Sequence, residues 1–120
     1  AMLSTVLILV TLGHADAPHV AFSTTPNMPA CEGKATALTG VLTGAGYRIA
    51  ARRCIQTDLA FAPYDHGATE FPASYRLTLP ADAAQGATIE PLATLTDCTA
   101  NPDGDPAVWC AVSAQPLVSR

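Results

Sequence analysis

Cationic residues are scarce in this sequence. Its 120 residues include 6 lysines and arginines against 10 aspartates and glutamates, and the net charge at pH 7 is −4. A protein that binds nucleic acid neutralises many phosphates with a dense basic surface. So few cations cannot form a broad surface of that kind, and we predict that nucleic acid is not a partner.

Aromatic and charged residues are also infrequent, at 6% and 13%, whereas hydrophobic residues make up 49% of the chain. Disordered chains have the opposite composition, so we expect this chain to fold. Its length suits one domain, because two domains would each have too small a core. We therefore predict a single domain over residues 1–120, with a thin, alanine-rich core that disulfides would help to stabilise.

The motifs of common metal and redox sites are missing. The cysteines show neither the Cys-x-x-Cys pattern of redox proteins nor the close spacing of structural zinc sites. The three histidines, His14, His19 and His66, are not arranged to complete a zinc site. His14, Asp16 and His19 offer an alternative surface metal site, although turn residues of this type are usually solvated. We predict that the protein binds no metal and no cofactor.

Catalytic signatures are missing as well. The sequence has no Gly-x-Ser-x-Gly turn, no His-Glu-x-x-His motif and no phosphate-binding glycine loop. Asp65 and His66, near Tyr64 and Glu70, form a titratable cluster that could serve a hydrolase as an acid–base pair. Because no nucleophile with an orienting base accompanies them, we predict that the protein is not an enzyme.

The longest apolar run covers residues 3–12. It is too short to cross a bilayer as a helix, which needs about 20 residues. Residues 15–17 resemble a signal-peptide cleavage site, but no basic residue precedes the run and Pro18 would follow the cut. The sequence therefore predicts neither a membrane span nor a convincing signal peptide.

The composition of this run favours a β-strand instead. It is rich in β-branched residues, and a turn at residues 13–18 separates it from a second extended stretch at residues 19–23. We predict a β-hairpin whose first strand is buried. Alternation places one set of side chains on one face, Val6, Ile8 and Val10, and a second set on the other, Leu7 and Leu9.

One helix is predicted at about residues 28–43. Asn27 is suited to cap its N-terminus, and Pro29 is tolerated in the first turn. Apolar residues recur along one stripe, at Cys31, Ala35, Leu38 and Leu42. The glycines of residues 44–46 supply the left-handed residue that ends such a helix.

The remaining chain predicts further strands. Residues 47–52 alternate so that Arg48 and Arg52 face water, and Tyr75, Leu77 and Leu79 alternate in the same way. Residues 88–98 and 107–114 are extended stretches that the turn-rich residues 101–106 join as a second hairpin. The predicted fold class is α+β, with a small mixed or antiparallel sheet built from hairpins and covered by one main helix.

The four cysteines allow three disulfide pairings. Cys98 and Cys110 flank the turn of the second predicted hairpin, and Cys31 and Cys54 lie at the same end of the helix and the following strand. We predict the pairs 31–54 and 98–110, which are both local. Cys54 has the opposite parity to Ile49, so the strand must bulge or end before it.

The cysteines also bear on localisation. Disulfides indicate an extracellular, periplasmic or virion environment, whereas the lack of a convincing signal peptide indicates the cytoplasm. A secreted protein without its leader, or a virion component that is oxidised after assembly, reconciles the two.

The long loop at residues 57–74 is the predicted binding segment. Phe61, Tyr64 and Phe71 lie in it, and aromatic residues often anchor protein interfaces. Arg48 and Arg52, with Arg53, concentrate positive charge and could bind an acidic partner, or could simply be solvated.

We predict a non-catalytic interaction or structural protein of the cell envelope or of a phage or similar particle. It would act through contact with a protein partner or through self-association. The alternatives are a small inhibitor or effector that blocks another protein's site with the 57–74 loop, and a hydrolase that uses Asp65 and His66.

Overall fold

The computed structural model describes residues 3–12, 17–63 and 70–118, which form a six-stranded sheet and one long α-helix. In chain order these elements are β1 (Ser4–Leu12), β2 (His19–Thr25), α1 (Met28–Gly44), β3 (Arg48–Thr57), β4 (Ala73–Leu79), β5 (Thr88–Leu92) and β6 (Ala107–Ser113). Short 3₁₀ helices at Ala83–Gln85 and Leu95–Asp97 precede and follow β5.

The strands form one mixed sheet in the order β3-β1-β2-β6-β4-β5. Neighbouring strands are antiparallel except β2 and β6, which run parallel and pair at His19 and Val112. The sheet is curled, so that Arg53 on one edge strand donates a 3.1 Å hydrogen bond from Nη1 to the carbonyl of Gly86, shortly before the other edge strand. The predicted α+β fold with a small mixed sheet is confirmed.

Strand β1 lies inside the sheet and is buried on both faces. Val6, Ile8 and Val10 belong to the main core cluster, which continues across the inner face of the sheet to β4, β5 and β6. Leu7 points to the outer face, where it packs with residues of α1, and Leu9 is also buried. The predicted buried strand and its two faces are confirmed.

Helix α1 begins where the sequence predicts. The Asn27 side chain accepts a hydrogen bond from the backbone N–H of Ala30 through Oδ1 at 2.8 Å, and Pro29 lies in the first turn, where a missing N–H removes no helical bond. The helix buries Cys31 and Ala35 against β1 and β3. Packing on the sheet therefore stabilises a helix that contains glycines and has modest intrinsic propensity.

The C-terminus of α1 is a glycine-dependent cap. Gly46 adopts φ +94°, and Tyr47 donates its backbone N–H to the carbonyl of Leu42 at 3.0 Å. This pattern is a Schellman motif, which requires a left-handed residue after the last turn. Within the described part of the chain, no helix is long and apolar enough to cross a membrane.

A β-bulge interrupts β3 at Ala50. Val10 of β1 lies opposite Ala51, but the next residue, Thr11, lies opposite Ile49. The extra residue moves Ile49 to the outer face, which Cys54 also occupies through its pairing with Leu7. The uninterrupted alternation predicted over residues 47–52 is wrong for this reason. The parity of Cys54 predicted that the strand bulges or ends before this residue, and the structure has the bulge.

The second predicted hairpin is wrong. Strand β4 lies between β5 and β6, with Leu77 opposite Ile89 on one side and Trp109 on the other. Strand β4 is central because its alternating apolar residues enter the core, whereas Pro91 lacks a backbone N–H and suits an edge strand. Beyond β5, the chain turns through Leu95–Asp97 before it reaches β6.

Both predicted disulfides are confirmed. Cys31 of α1 bonds to Cys54 of β3 with a Cα–Cα distance of 6.1 Å. Cys98 bonds to Cys110 of β6 with a Cα–Cα distance of 5.9 Å, although the strands expected to bring them together do not pair. Both disulfides attach a segment outside the sheet to its outer face. The Cys31–Cys54 disulfide attaches α1, and the Cys98–Cys110 disulfide attaches the turn before β6.

Candidate functional site

The predicted binding segment is anchored to the folded body at its beginning. After β3, the backbone N–H of Ala62 donates to the carbonyl of Pro116 at 2.9 Å, and that of Val118 donates to the carbonyl of Ala60 at 2.9 Å. Phe61 and Leu117 therefore form an isolated antiparallel bridge between this segment and the C-terminal part of the chain.

Phe61 belongs to an aromatic cluster on the inner face. Its ring stacks on Phe22 of β2 with centroids 3.8 Å apart and planes 9° apart. Tyr75 of β4 meets Phe22 edge-on at 5.1 Å and Phe61 at 6.1 Å. Phe61 is half-buried and packs against the main core. The structure thus gives it a packing role, and its contact with a partner stays a prediction.

Gln115 connects this cluster to the sheet. Its side chain is 2% exposed, and its amide nitrogen donates to the carbonyls of Phe22, at 2.8 Å, and Ala62, at 2.9 Å. Buried amides require such partners, since an unsatisfied polar group costs about 1–3 kcal/mol. Sequence reasoning missed Gln115, because a glutamine just after a strand has no pattern that distinguishes it from an exposed residue.

Tyr75 adds a further polar contact to the cluster. Its hydroxyl donates a 2.7 Å hydrogen bond to the backbone carbonyl of Gln115. Burial raises the pKa of Tyr75 from 10.0 to about 12, because the ionised phenolate loses its hydration. The neutral hydroxyl is therefore the form that the fold requires, and it acts as a structural donor.

Phe71 lies near the other end of the segment and is accessible. It is 39% exposed, and its ring meets the ring of the buried His19 edge-on, with centroids 4.4 Å apart. Ala73 begins β4 two residues later, so the sheet holds Phe71 close to the body. Of the predicted aromatic residues that the structure describes, Phe61 and Phe71, it is Phe71 that lies on the surface.

Several candidate residues lie outside the described part of the chain. They are Tyr64 of the binding prediction, Asp65 and His66 of the hydrolase alternative, and His14 and Asp16 of the metal alternative. Within residues 3–12, 17–63 and 70–118, no group of three or more histidine, cysteine, aspartate or glutamate residues is placed to hold a metal ion.

The predicted basic residues do not form one surface. Arg48 and Arg52 are both exposed, but they lie opposite Leu12 and Leu9 of β1, which point to different faces of the sheet. The bulge at Ala50 separates them, since each extra residue reverses the alternation. Their assignment to a partner contact stays a prediction.

Arg52 and Arg53 come together at the free edge of β3. Both line a cavity beside the Cys31–Cys54 disulfide, although they are consecutive residues of a strand. Arg52 donates from Nη1 to Thr39 Oγ1 of α1 at 3.1 Å, so that its guanidinium is held against the helix. The sequence signal for this pair was the cation cluster itself, in a chain with few other cations.

Comparison with known proteins identifies no relative. The chain matches no protein-family model, no curated protein and no solved structure.

Proposed function

We propose that this protein is a non-catalytic interaction module that binds a protein partner through the surface around Phe71. The observation that supports the proposal is the placement of this ring: it is 39% exposed, next to the buried His19 and just before β4. A large apolar side chain presented on a rigid support contributes contact area to an interface at low entropic cost.

The surrounding structure supports this role. Stacking on Phe22 holds the segment at Phe61, and β4 holds it beyond Phe71, so its two ends have fixed positions on the sheet. Disulfides clamp two other parts of the chain to the sheet. Such a scaffold limits the ordering cost of binding, which favours recognition.

The disulfides also bear on the compartment in which the protein acts. A fold with two cystines suits an oxidising environment, so we place the protein at the cell envelope, in a secreted form or in a phage or similar particle. The partner is another protein or a second copy of this chain. The inhibitor alternative uses the same surface and differs in that the partner is an enzyme whose activity falls on binding.

The test is a pair of single substitutions in oxidised, folded protein. Phe71→Ala should abolish capture of the partner, while its melting temperature stays close to that of the wild type because the ring is partly exposed. Val41→Ala is the matched control, since Val41 on α1 is 66% exposed and lies outside the segment. Sedimentation of the same variants separates self-association from binding of a different protein.

The proposal fails if Phe71→Ala and Val41→Ala retain capture equally. Phe61→Ala is informative beside them, because this ring stacks in the aromatic cluster. It should lower the free energy of unfolding by about 2 kcal/mol, less than for a fully buried phenylalanine. Loss of capture in a folded Phe61→Ala variant would extend the binding surface to Phe61.

A further inference from the structure

A cavity of about 160 Å³ opens at the free edge of β3, between α1 and the Ala83–Gln85 turn. Its buried wall is apolar and consists of Leu7, Ala35 and Cys54. Because a single water molecule needs only about 10–15 Å³ of such space, the cavity has room for a small polyatomic group.

Two arginine residues line this cavity, Arg52 and Arg53. Consecutive side chains of a strand leave on opposite faces. Both residues nevertheless line the same cavity, at the edge strand β3, beyond which no further strand lies in the described sheet. Two cationic residues therefore border a single space.

Neutral oxygen atoms hold both guanidiniums in place. Arg52 Nη1 donates to Thr39 Oγ1 at 3.1 Å, and Arg53 Nη1 donates to the Gly86 carbonyl at 3.1 Å. Among the described residues the ion pair found is that of Arg76 with Glu90, at 2.7 Å. The contacts of Arg52 and Arg53 thus orient their charges without neutralising them.

Glu32 is the acidic residue that lines the cavity. Two arginines and one glutamate give the lining residues a formal net charge of +1, in a chain whose formal net charge is −4. A local excess of positive charge beside an apolar wall strengthens attraction for an anion, because the dielectric constant is lower there than in water.

We propose that this cavity is a binding site for a single oxyanion group, either a carboxylate or a phosphate. The planar guanidinium donors of arginine match the paired oxygens of both groups. Arg52 and Arg53 would bind the anion, and Glu32 would limit its affinity by repulsion. The site is separate from the surface around Phe71 and does not depend on the function proposed for it.

The experiment is an amide NMR titration of the oxidised protein with inorganic phosphate and, in a second series, with succinate. Chloride keeps the ionic strength constant, because screening weakens surface electrostatics. We expect saturable shifts confined to residues 52–54 and to Glu32, Ala35 and Ala83. Saturation by one probe identifies the preferred oxyanion, and saturation by both shows a site that accepts either.

Substitutions of the charged residues that line the cavity should change the affinity for the anion in opposite directions. Arg52→Gln should weaken binding about tenfold, as expected for loss of a charge-assisted hydrogen bond, and Glu32→Gln should strengthen it. Arg48→Gln is the matched control, since Arg48 lies on the same strand but does not line the cavity. Arg53→Gln should also weaken binding, but Arg53 holds Gly86, so its amide spectrum is checked for folding first.

The proposal is overturned if neither probe gives saturable shifts. It is equally overturned if Arg52→Gln binds the anion as tightly as the wild type, or if Arg48→Gln weakens binding to the same extent. Because Arg52 is exposed and its hydrogen bond goes to a threonine hydroxyl on α1, the Arg52→Gln variant remains decisive even where Arg53→Gln disturbs the fold.

Discussion

The side-chain amide of Gln115 pairs with both backbone polar groups of Phe22. Its Oε1 accepts from the Phe22 N–H at 2.9 Å, and its Nε2 donates to the Phe22 carbonyl at 2.8 Å. The backbones of β2 and β6 themselves pair at one position, His19 with Val112. The amide of Gln115 therefore acts like a peptide group of a neighbouring strand and extends the contact between the two halves of the sheet.

Replacing Gln115 with alanine should destabilise the fold strongly. The backbone N–H and carbonyl of Phe22 would lose their partners in a buried position, and each such loss costs about 1–3 kcal/mol. We expect the free energy of unfolding to fall by about 3 kcal/mol in denaturant titrations. Gln85→Ala is the matched control, since Gln85 is exposed and its change should stay within about 0.5 kcal/mol. Equal losses in both variants would contradict this account.

Alkaline pH should destabilise the protein through Tyr75. Burial raises the pKa of its hydroxyl from 10.0 to about 12, so the folded state holds the proton more tightly than the unfolded state does. The stabilising contribution is complete below about pH 10 and is lost as the pH rises towards 12. Two pKa units correspond to about 3 kcal/mol in the free energy of unfolding.

Comparison of Tyr75→Phe with the wild type isolates this effect. The variant should lose about 1 kcal/mol at neutral pH, because the hydrogen bond to the carbonyl of Gln115 is gone. It should also lack the part of the alkaline decline that Tyr75 causes, whereas Tyr47→Phe should keep it. If the free energy of unfolding declines equally in Tyr75→Phe and the wild type between pH 10 and 12, Tyr75 does not cause the alkaline destabilisation.

The two disulfides should contribute to different parts of the fold. They close sequence separations of 23 and 12 residues, for which chain entropy alone gives roughly 3 kcal/mol each. Replacing Cys31 and Cys54 together with alanine should cost more, because this pair is also buried with Leu7 and Ala35 in the second core cluster.

Hydrogen exchange locates the two contributions. Loss of the 31–54 disulfide should speed amide exchange throughout α1, since that bond attaches the helix to β3. Loss of the 98–110 disulfide should leave α1 protected and affect the turn before β6. If both double variants expose α1 to the same degree, the disulfides do not act locally.

Local patterns in the sequence were sufficient for the elements and for several details of them. The alternation of Val6, Ile8 and Val10 predicted β1, and Asn27 with the glycines after residue 43 predicted both ends of α1. The parity of Cys54 predicted either a bulge in β3 or an earlier end of the strand, and the bulge is present. These features depend on residues close together in the chain, so neighbouring side chains and turn geometry decide them.

The sequence also determined both disulfides, but only tertiary structure explains how the second one forms. Cys98 meets Cys110 although β5 and β6 do not pair, because β4 takes the place between them. Strand order depends on which strand buries most apolar surface, and that competition involves residues far apart in the chain.

The candidate sites show the same division. The sequence by itself determined the scarcity of cations, the cluster around Arg52 and the aromatic segment that ends near Phe71. Only the tertiary structure buried Gln115, stacked Phe61 on Phe22 and brought Arg53 to the same cavity as Arg52. The physical reason is that these arrangements arise when distant segments pack on a curled sheet, and no periodicity along the chain encodes them.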